Sequence, residues 1–226
     1  MAPTTRERII EAAAALLTEG GREAVSTRAV GAAAGVQAPT IYRIFGDKQG
    51  LLDAVASHGF GAYLRSKAVL EHSADPVEDL RRGWDLHVGF GVENPAYYTL
   101  IYGEPRPGVQ SPAAVQAAAI LAAQVRRIAE AGRLRVSEER AAHLIHSAGA
   151  GMTFQLISLL PEQRDPELSA LARESVIAAV TTDAPAAAHD GVTGNAIALR
   201  AAVPRLAGLS TAERALLDEW LGRITT

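Results

Sequence analysis

The sequence contains no cysteine, which excludes disulfide bonds, thiolate metal sites and cysteine nucleophiles. It also lacks the run of about 18 or more apolar residues that a membrane-spanning helix needs, and its N-terminal run MAPTTRERIIEAAAALL carries charges where a secretory signal is apolar. The G-x-S-x-G elbow, the phosphate-binding loop and the H-E-x-x-H metal motif are missing too. We therefore expect a cytoplasmic protein without membrane contact, catalytic residue, metal or cofactor.

The chain has slightly fewer basic than acidic residues. The 226 residues include 22 lysines and arginines against 25 aspartates and glutamates, a net charge of −3. This balance argues against a protein that coats nucleic acid indiscriminately, so any contact with DNA must come from a local patch. Aromatic residues are scarce, at 5%, but 48% of the chain is hydrophobic, which is enough for the buried core of a globular protein.

Capping residues and prolines predict a chain that is almost entirely helical, without strands. Gly20-Gly21 ends a first helix whose apolar residues repeat at helical spacing, and Ser210 and Glu213 form a capping box at the start of the last. Three other starts place a capping side chain before a proline: Asp75-Pro76, Asn94-Pro95 and Ser111-Pro112. The predicted helices are 4–19, 26–34, 38–44, 47–70, 76–92, 95–102, 112–131, 138–159, 166–182, 194–203 and 211–223, with a loop at 183–191.

The segment 26–48, STRAVGAAAGVQAPTIYRIFGDK, predicts two short helices joined by a turn that contains Gly35. This arrangement is the helix-turn-helix unit, whose second helix presents its N-terminal residues to the major groove of DNA. Side chains spaced to form the core shared by the two helices are Val30, Val36, Ile41 and Phe45. The segment therefore predicts a DNA-binding module.

The same segment resembles the DNA-binding signature of the tetracycline-repressor family, T-x-x-[AV]-x-x-x-A-G-V-x-x-x-T-[IL]-Y-x-x-F-x-x-K-x-x-L. The residues that carry the resemblance are Thr27, Val30, Ala34, Gly35, Val36, Thr40, Ile41, Tyr42, Phe45, Lys48 and Leu51. It covers residues 4–65 in detail. It implies an all-α protein with an N-terminal three-helix DNA-binding domain at 1–50, a connecting helix at 51–75, and a larger helical-bundle domain for ligand binding and dimerisation at 76–226.

Roles within the DNA-binding segment follow from side-chain chemistry. Gln37, Thr40 and Arg43 are candidate base readers, since glutamine pairs with adenine and arginine with guanine. The resemblance implies that Tyr42 and Lys48 contact phosphates, Lys48 from the N-terminus of the following helix. The full predicted set is Thr27, Arg28, Gln37, Ala38, Pro39, Thr40, Tyr42, Arg43 and Lys48.

Two features of this segment leave questions open. Gln37 stands where the family often has a small hydroxyl residue, and Ala38-Pro39 replaces the usual glycine, which leaves the operator sequence open. Tyr42 has the alternative of a core aromatic packed beside a phenylalanine. The arginines of residues 1–28 alternate with glutamates and have the alternative of an ordinary solvated surface.

The larger domain has a dimerisation role implied by the resemblance. The predicted helix 138–159 carries apolar residues such as Leu144 beside small ones such as Gly149, which permit close approach of another helix. In the family, the two long helices before the C-terminus build a four-helix bundle with a second copy, so 138–159 and 166–182 are the expected homodimer interface. Two alternatives remain: internal helices of a monomer, and a C-terminal pair, 194–223, that joins or replaces part of the interface.

An aromatic cluster on two successive predicted helices is the expected effector site. Its residues are Trp84, His87, Val88, Tyr98, Ile101 and Tyr102. An apolar cavity rimmed by hydroxyls and an imidazole suits a mostly apolar small molecule with one or two polar handles. Core packing explains the same cluster. His143 and His146 stand three residues apart but have no carboxylate on their face, so we assign them no metal.

These observations favour a ligand-responsive transcriptional repressor. It is expected to bind a palindromic operator in double-stranded DNA as a homodimer and to be released by a small apolar effector. A second hypothesis is a DNA-binding adaptor without a ligand, controlled by a protein partner through its aromatic surface. A third is a helical enzyme or carrier in which the helix-turn-helix is incidental.

Overall fold

The computed structural model describes residues 3–68, 73–104, 107–182 and 192–225, and these residues are almost entirely helical. The helices are α1 Thr5–Ala24, α2 Thr27–Ala34, α3 Ala38–Phe45, α4 Lys48–Ala68, α5 Pro76–Glu93, α6 Pro95–Tyr102, α7 Pro112–Glu130, α8 Glu138–Ser158, α9 Leu168–Val180, α10 Val192–Ala202 and α11 Thr211–Ile224. Short 3₁₀ turns lie at Pro161–Gln163 and Val203–Arg205. The predicted loop at 183–191 lies outside the described residues.

The helix ends follow the predicted capping chemistry, with two differences. Gly21 takes a φ of 66° and interrupts α1, as predicted for the glycine pair, but a further helical turn follows and reaches Ala24. Asn94 does not cap α6 with its side chain; its Nδ2 donates instead to the carbonyl of Phe90, 3.1 Å away. The prediction of an asparagine cap is therefore wrong, because the side chain bonds back to the helix before it.

The chain divides into two compact units. The head unit comprises Met1–Glu71 and Gly89–Ala117, and the body unit comprises His72–Val88 and Ala118–Thr226. Helix α6 belongs to the head unit, whereas the sequence places it in the larger domain. The domain boundaries drawn from the sequence remain a prediction.

The head unit is built around one buried apolar cluster. Its wholly or almost wholly buried members are Ile9, Ala13, Leu17, Val25, Val30, Ile41, Leu51, Leu52 and Val55. Helix α6 packs against the same cluster through Ala96, Tyr97 and Leu100. Tyr97 lies so close to α4 that a Cβ at Gly59 would meet its Cε1 at 2.2 Å. The position of α6 is therefore fixed by the core that also holds α2 and α3.

The body unit contains a buried carboxylate at the start of α5. Asp79 is 5% exposed and accepts hydrogen bonds from Arg82, from Arg127 and, at 2.9 Å, from the Ser73 N–H. Arg127 also donates to the Ser73 carbonyl at 3.3 Å. Burial raises the pKa of Asp79, but these hydrogen bonds lower it by more, so the net pKa lies well below its ordinary value. Asp79 thereby ties the chain before α5 to α7.

The C-terminal helices form a hairpin with a small core of their own, made by Ala196, Val203 and Leu221. Arg200 of α10 joins this hairpin to the rest of the body unit, because its guanidinium lies 3.0 Å from Asp218 Oδ1 and 3.1 Å from Glu139 Oε1 at the start of α8. No described helix is long and apolar enough to cross a membrane.

Replacing Asp79 by asparagine should lower the free energy of unfolding by about 2–3 kcal/mol, less than for a fully buried pair because both arginines are about one third exposed. A carboxylate with a lowered native pKa stabilises the fold at pH values above its unfolded-state pKa, near 3.8, and this stabilisation is lost as the pH falls below it. Urea unfolding should therefore show a wild-type advantage that is constant from pH 8 to about 5 and shrinks towards pH 3.

Asp85→Asn provides the matched control on the same helix. Asp85 pairs with Arg173 at 2.5 Å but its side chain is 56% exposed, so its loss should cost less than about 1 kcal/mol. Equal losses for Asp79→Asn and Asp85→Asn would contradict a special role for the buried carboxylate.

Candidate nucleic-acid interface

Helix α2 and the turn after it are held by a cap at each end. The Ser26 hydroxyl accepts from the Ala29 N–H at 3.1 Å, and Gly35 ends the helix with a φ of 66°. A Cβ at Gly31 would lie 2.9 Å from the Val36 carbonyl oxygen, so only glycine fits where the turn folds back onto the helix. These contacts set the angle at which α3 leaves α2.

Helix α3 has a buried side and an exposed side. Ile41 is fully buried, and Val36, Ile44 and Phe45 pack in part against the same core. On the other side, Gln37, Pro39, Tyr42 and Arg43 are exposed, and Ala38 and Thr40 are half-buried. Tyr42 is 48% exposed, so it is not the core aromatic of the alternative interpretation. The N-terminal half of α3 is the part of the helix-turn-helix that is open to a ligand as large as DNA.

Gln37 precedes the first turn of α3 without capping it by a side-chain hydrogen bond. Its carboxamide is exposed and has no hydrogen-bond partner among the described residues. A free carboxamide beside the start of a recognition helix suits bidentate pairing with a base edge.

Three exposed cations lie on the helices of this segment, on α2, on α3 and at the start of α4. Arg28, Arg43 and Lys48 make no ion pair with any described residue. Two other arginines are engaged: Arg22 pairs with Glu104 at 2.5 Å, and the Arg6 guanidinium lies over the Phe45 ring, 5.5 Å from its centroid. The local positive patch is therefore small, and Arg6 has a structural role that the sequence did not indicate.

Lys48 is the first residue of α4, as predicted, but the helix end is already capped. Asp47 Oδ1 accepts the Gly50 N–H at 2.7 Å. One backbone donor at this N-terminus is therefore occupied, and a carboxylate stands beside the lysine. A phosphate at this position would depend mainly on the charge of Lys48.

Gly50 is a residue that the sequence reasoning missed. A Cβ at this position would lie 2.1 Å from the Phe45 carbonyl oxygen, because the first turn of α4 packs directly on the end of α3. The available signal was a glycine in the first turn of a helix, where the residue is otherwise unfavourable.

Three of the predicted effector residues, Trp84, His87 and Val88, lie on α5 in the body unit. Trp84 is 4% exposed, and its Nε1 donates to Ser169 Oγ of α9 at 3.1 Å. Gly149 of α8 faces both rings, since its Cβ would lie 3.5 Å from Trp84 Cζ3 and 3.7 Å from His87 Cδ2. Gly149 is buried against these residues of its own unit and permits the close approach of α5, as predicted for a small residue on this helix.

His146 adds a second imidazole to this part of the body unit, with its ring centroid 6.5 Å from that of His87. Burial lowers the pKa of His146, and the neighbouring His143 lowers it further. The His146 imidazole can therefore serve as a neutral hydrogen-bonding group near pH 7. Over the described residues, no group of three or more potential ligands is arranged to hold a metal ion.

The other three predicted effector residues, Tyr98, Ile101 and Tyr102, lie on α6 in the head unit. Tyr98 is fully buried, its ring is 4.9 Å from that of Tyr102, and burial raises the pKa of Tyr102 well above the ordinary value for a phenol. The predicted site is thus divided equally between the two units, and its role in ligand binding remains a prediction.

Helix α8 has two different apolar faces. Ile145 and Leu156 are buried within the body unit, whereas Leu144 is 49% exposed and Gly151 is exposed with it. On α9, Leu171 is 66% exposed. An exposed stripe of leucine and small residues remains on the two helices that the resemblance nominated for dimerisation.

A comparison with protein families identifies the N-terminal segment. Residues 9–55 match the family described as "Bacterial regulatory proteins, tetR family". The matched segment spans α1, α2, α3 and the first part of α4. No protein with a curated description matches the chain.

Solved structures share the fold. A TetR-family transcriptional regulator from Haemophilus influenzae RD is 21% identical, with a TM-score of 0.56 over 79% of this chain and 97% of the other. The multidrug binding protein EbrR, complexed with imidazole, is 20% identical, with a TM-score of 0.55 over 81% and 98%. A TetR variant from Acinetobacter baumannii AYE, in complex with minocycline, is 17% identical, with a TM-score of 0.55 over 75% and 90%. The predicted all-α fold is confirmed.

Gly50→Ala should destabilise the head unit by about 1–3 kcal/mol, because the added methyl group has no space against the Phe45 backbone. Gly222→Ala is the control: its Cβ would lie 3.6 Å from the Arg200 guanidinium, an ordinary contact. This helical glycine should gain up to about 1 kcal/mol on replacement. Urea unfolding followed by circular dichroism measures both, and an unchanged or increased stability of Gly50→Ala would contradict the close packing of α3 and α4.

Proposed function

We propose that this chain, whose residues 9–55 match the tetR family of bacterial regulatory proteins, is a repressor of that kind that binds a palindromic operator as a homodimer. A small, mostly apolar effector releases it from the DNA. The match of residues 9–55 to regulatory proteins supports the prediction that the chain is not an enzyme. The observation that carries the proposal is the exposed side of α3, where Gln37, Tyr42 and Arg43 are open to solvent and Arg43 makes no ion pair with a described residue.

Contact with DNA divides into two kinds on this surface. Gln37, Thr40 and Arg43 read base edges, because they lie on or directly before the first turns of the recognition helix. Tyr42 and Lys48 bind phosphates and fix the position of α3 in the groove. Since each head carries few free cations, one head binds weakly and a second copy is required for useful affinity.

The homodimer pairs α8 and α9 of one copy with the same helices of a second. The exposed apolar side chains of Leu144 and Leu171 and the exposed Gly151 support this arrangement. An isologous contact of this kind gives the dimer a two-fold axis, and a two-fold protein requires an inverted repeat in its operator.

The effector binds beside Trp84, His87 and Val88 in the body unit. Apolar surface from Trp84 and Val88 combines there with the polar groups of His87, His146 and Ser169, which suits an apolar molecule with one or two polar handles. Proteins of the same fold have been solved with imidazole and with minocycline. A role of Tyr98, Ile101 and Tyr102 of the head unit in effector binding stays a separate prediction.

Release from DNA follows from linkage between the two activities. An effector that binds the DNA-free arrangement of the body unit more tightly than the DNA-bound arrangement lowers operator affinity. The size of the decrease is the ratio of its affinities for these two arrangements. Within the head unit, α6 is the element through which such a change acts, because Tyr97 packs directly against α4 at Gly59. The alternative of a protein partner bound to an aromatic surface is disfavoured, since Trp84 and Tyr98 are buried.

Substitutions on α3 and α4 should separate base reading from phosphate binding. Lys48→Ala should weaken binding to all duplexes alike and reduce the dependence of log K on log salt concentration by about one unit, and Tyr42→Phe should weaken binding without changing sequence preference. Gln37→Ala should relax preference at one half-site position, by about 1–3 kcal/mol. Fluorescence anisotropy over a salt series, with binding-site selection, measures these effects.

Arg126→Ala, at an exposed arginine of α7 in the body unit, is the control and should leave the salt dependence unchanged. If selection with Gln37→Ala returned the same motif with the same sharpness, Gln37 would not be a base reader. If wild type retained no selected duplex at low salt, the proposed function would be wrong.

Effector binding should respond to changes beside Trp84. Compounds found by thermal-shift screening should bind Trp84→Phe and His87→Ala more weakly than wild type, while operator affinity without ligand stays within about twofold. Reciprocity requires that each compound bind the free dimer more tightly than the operator complex by the factor, about 5 to 150, by which it weakens operator binding. Titration calorimetry measures both affinities.

Gln163→Ala is the control, because Gln163 is an exposed body-unit residue outside the proposed effector site. A compound that released the operator and bound all three variants as wild type does would place the effector site elsewhere.

A further inference from the structure

One face of α11 is apolar and exposed. Leu216, Trp220 and Ile224 follow one another at intervals of four residues, which places them in one stripe along the helix. Their exposed fractions are 44%, 52% and 46%, and no described residue covers them. On the other side of the helix, Leu221 is buried in the core of the hairpin. The packing of the hairpin therefore leaves these three side chains uncovered.

Charged residues of opposite sign lie at the two ends of this stripe. Glu213 stands in the first turn of α11, and Arg223, whose side chain is 70% exposed, stands in the last. A parallel copy of the same helix would place like charges opposite each other. An antiparallel copy places Glu213 opposite Arg223 at both ends and also opposes the two helix dipoles.

The antiparallel arrangement has one register that satisfies the whole face. When Glu213 lies opposite Arg223 of a second copy, Leu216 lies opposite Trp220, and Ala212 lies opposite Ile224, because each pair is evenly spaced about residue 218. Each of these side chains is exposed, and the two apolar pairings each set a smaller side chain against a larger one. A two-fold interface requires such paired contacts. If Leu216 of one copy contacts Trp220 of the other, then Trp220 of the first copy must contact Leu216 of the second.

Ion pairs hold α11 and the chain after α10 against the rest of the body unit. Asp218, on the inner side of α11, pairs with Arg200, and the same guanidinium pairs with Glu139 of α8. Arg205, which follows α10, pairs with Glu130 of α7 at 2.7 Å. The orientation of the stripe is thus coupled to the long helices of the body unit.

We propose that the exposed face of α11 packs antiparallel against α11 of a second copy of this chain. The contact rests on the homodimer proposed above and adds to it, because three half-exposed side chains fall well short of the roughly 1,200 Å² that a stable interface buries. Trp220 is the central residue of the contact, and its indole is covered by Leu216 of the other copy.

Disulfide cross-linking tests the register, and the absence of cysteine from the chain makes each introduced thiol unique. Leu216→Cys and Trp220→Cys proteins, mixed under mild oxidation, should form the mixed disulfide at least about tenfold faster than Ala215→Cys mixed with Trp220→Cys. Ala215 is exposed on α11 but lies off the stripe. Equal rates in the two mixtures would overturn the proposal.

Charge exchange tests the same contact without oxidation. Glu213→Arg gives a helix with two basic ends and Arg223→Glu one with two acidic ends, so each homodimer is disfavoured and the heterodimer has opposite charges at both ends. After equilibration, native mass spectrometry should show the heterodimer rising from the statistical half to about three quarters or more. Each variant loses one local contact, to Ser210 or Glu219, but that loss affects homodimers and heterodimers alike.

Ala215→Arg mixed with Ala215→Glu is the control for long-range charge effects and should stay near one half. If the charge variants also stayed at one half while dimers formed, the stripe would belong to another partner and the proposal would be wrong. If wild type were a monomer at micromolar concentration, the proposed homodimer itself would fail, and the two failures are therefore distinguishable.

Discussion

Close contacts at three glycines, where an added Cβ would have no space, set the geometry of the head unit. At Gly31 and Gly50 the neighbour is a backbone carbonyl, and at Gly59 it is the ring of Tyr97. These contacts fix, in turn, the turn before α3, the corner after it and the position of α6. Because two of them involve backbone oxygens, no rotamer change of a neighbour can relieve an added Cβ there. The orientation of α3 therefore depends on residues outside the predicted DNA-binding set.

Most of the secondary structure was predictable because its signals are local. Proline with a capping side chain, paired glycines and the capping box at Ser210 act within one helical turn, and these signals appear as expected except for the Asn94 cap and the helical turn of α1 after Gly21. The family signature likewise located α2 and α3, since their shared core of Val30 and Ile41 is encoded over a dozen residues. The capping box of Thr4 and Glu7 was missed although its spacing is the same.

The long-range relations were less accessible from the sequence. Nothing local distinguishes Asp79, which is buried between two arginines, from Asp85 six residues later, which is exposed. The periodicity of α8 showed apolar residues but not that the helix has two apolar faces, one turned inward with Ile145 and one outward with Leu144. The stacking of Arg6 on Phe45 joins residues 39 positions apart and has no sequence signature. Such contacts depend on how the helices pack, which periodicity alone does not specify.

The exposed cations Arg28, Arg43 and Lys48, which make no ion pair with a described residue, have a consequence for the DNA binding proposed above. In the proposed dimer they amount to six charges that displace counterions from DNA, and a doubling of the salt concentration would then reduce operator affinity about 40-fold. Under the proposed repressor function, osmotic upshift would therefore favour release of the operator even without an effector. Hyperosmotic accumulation of potassium and the effector would then act in the same direction.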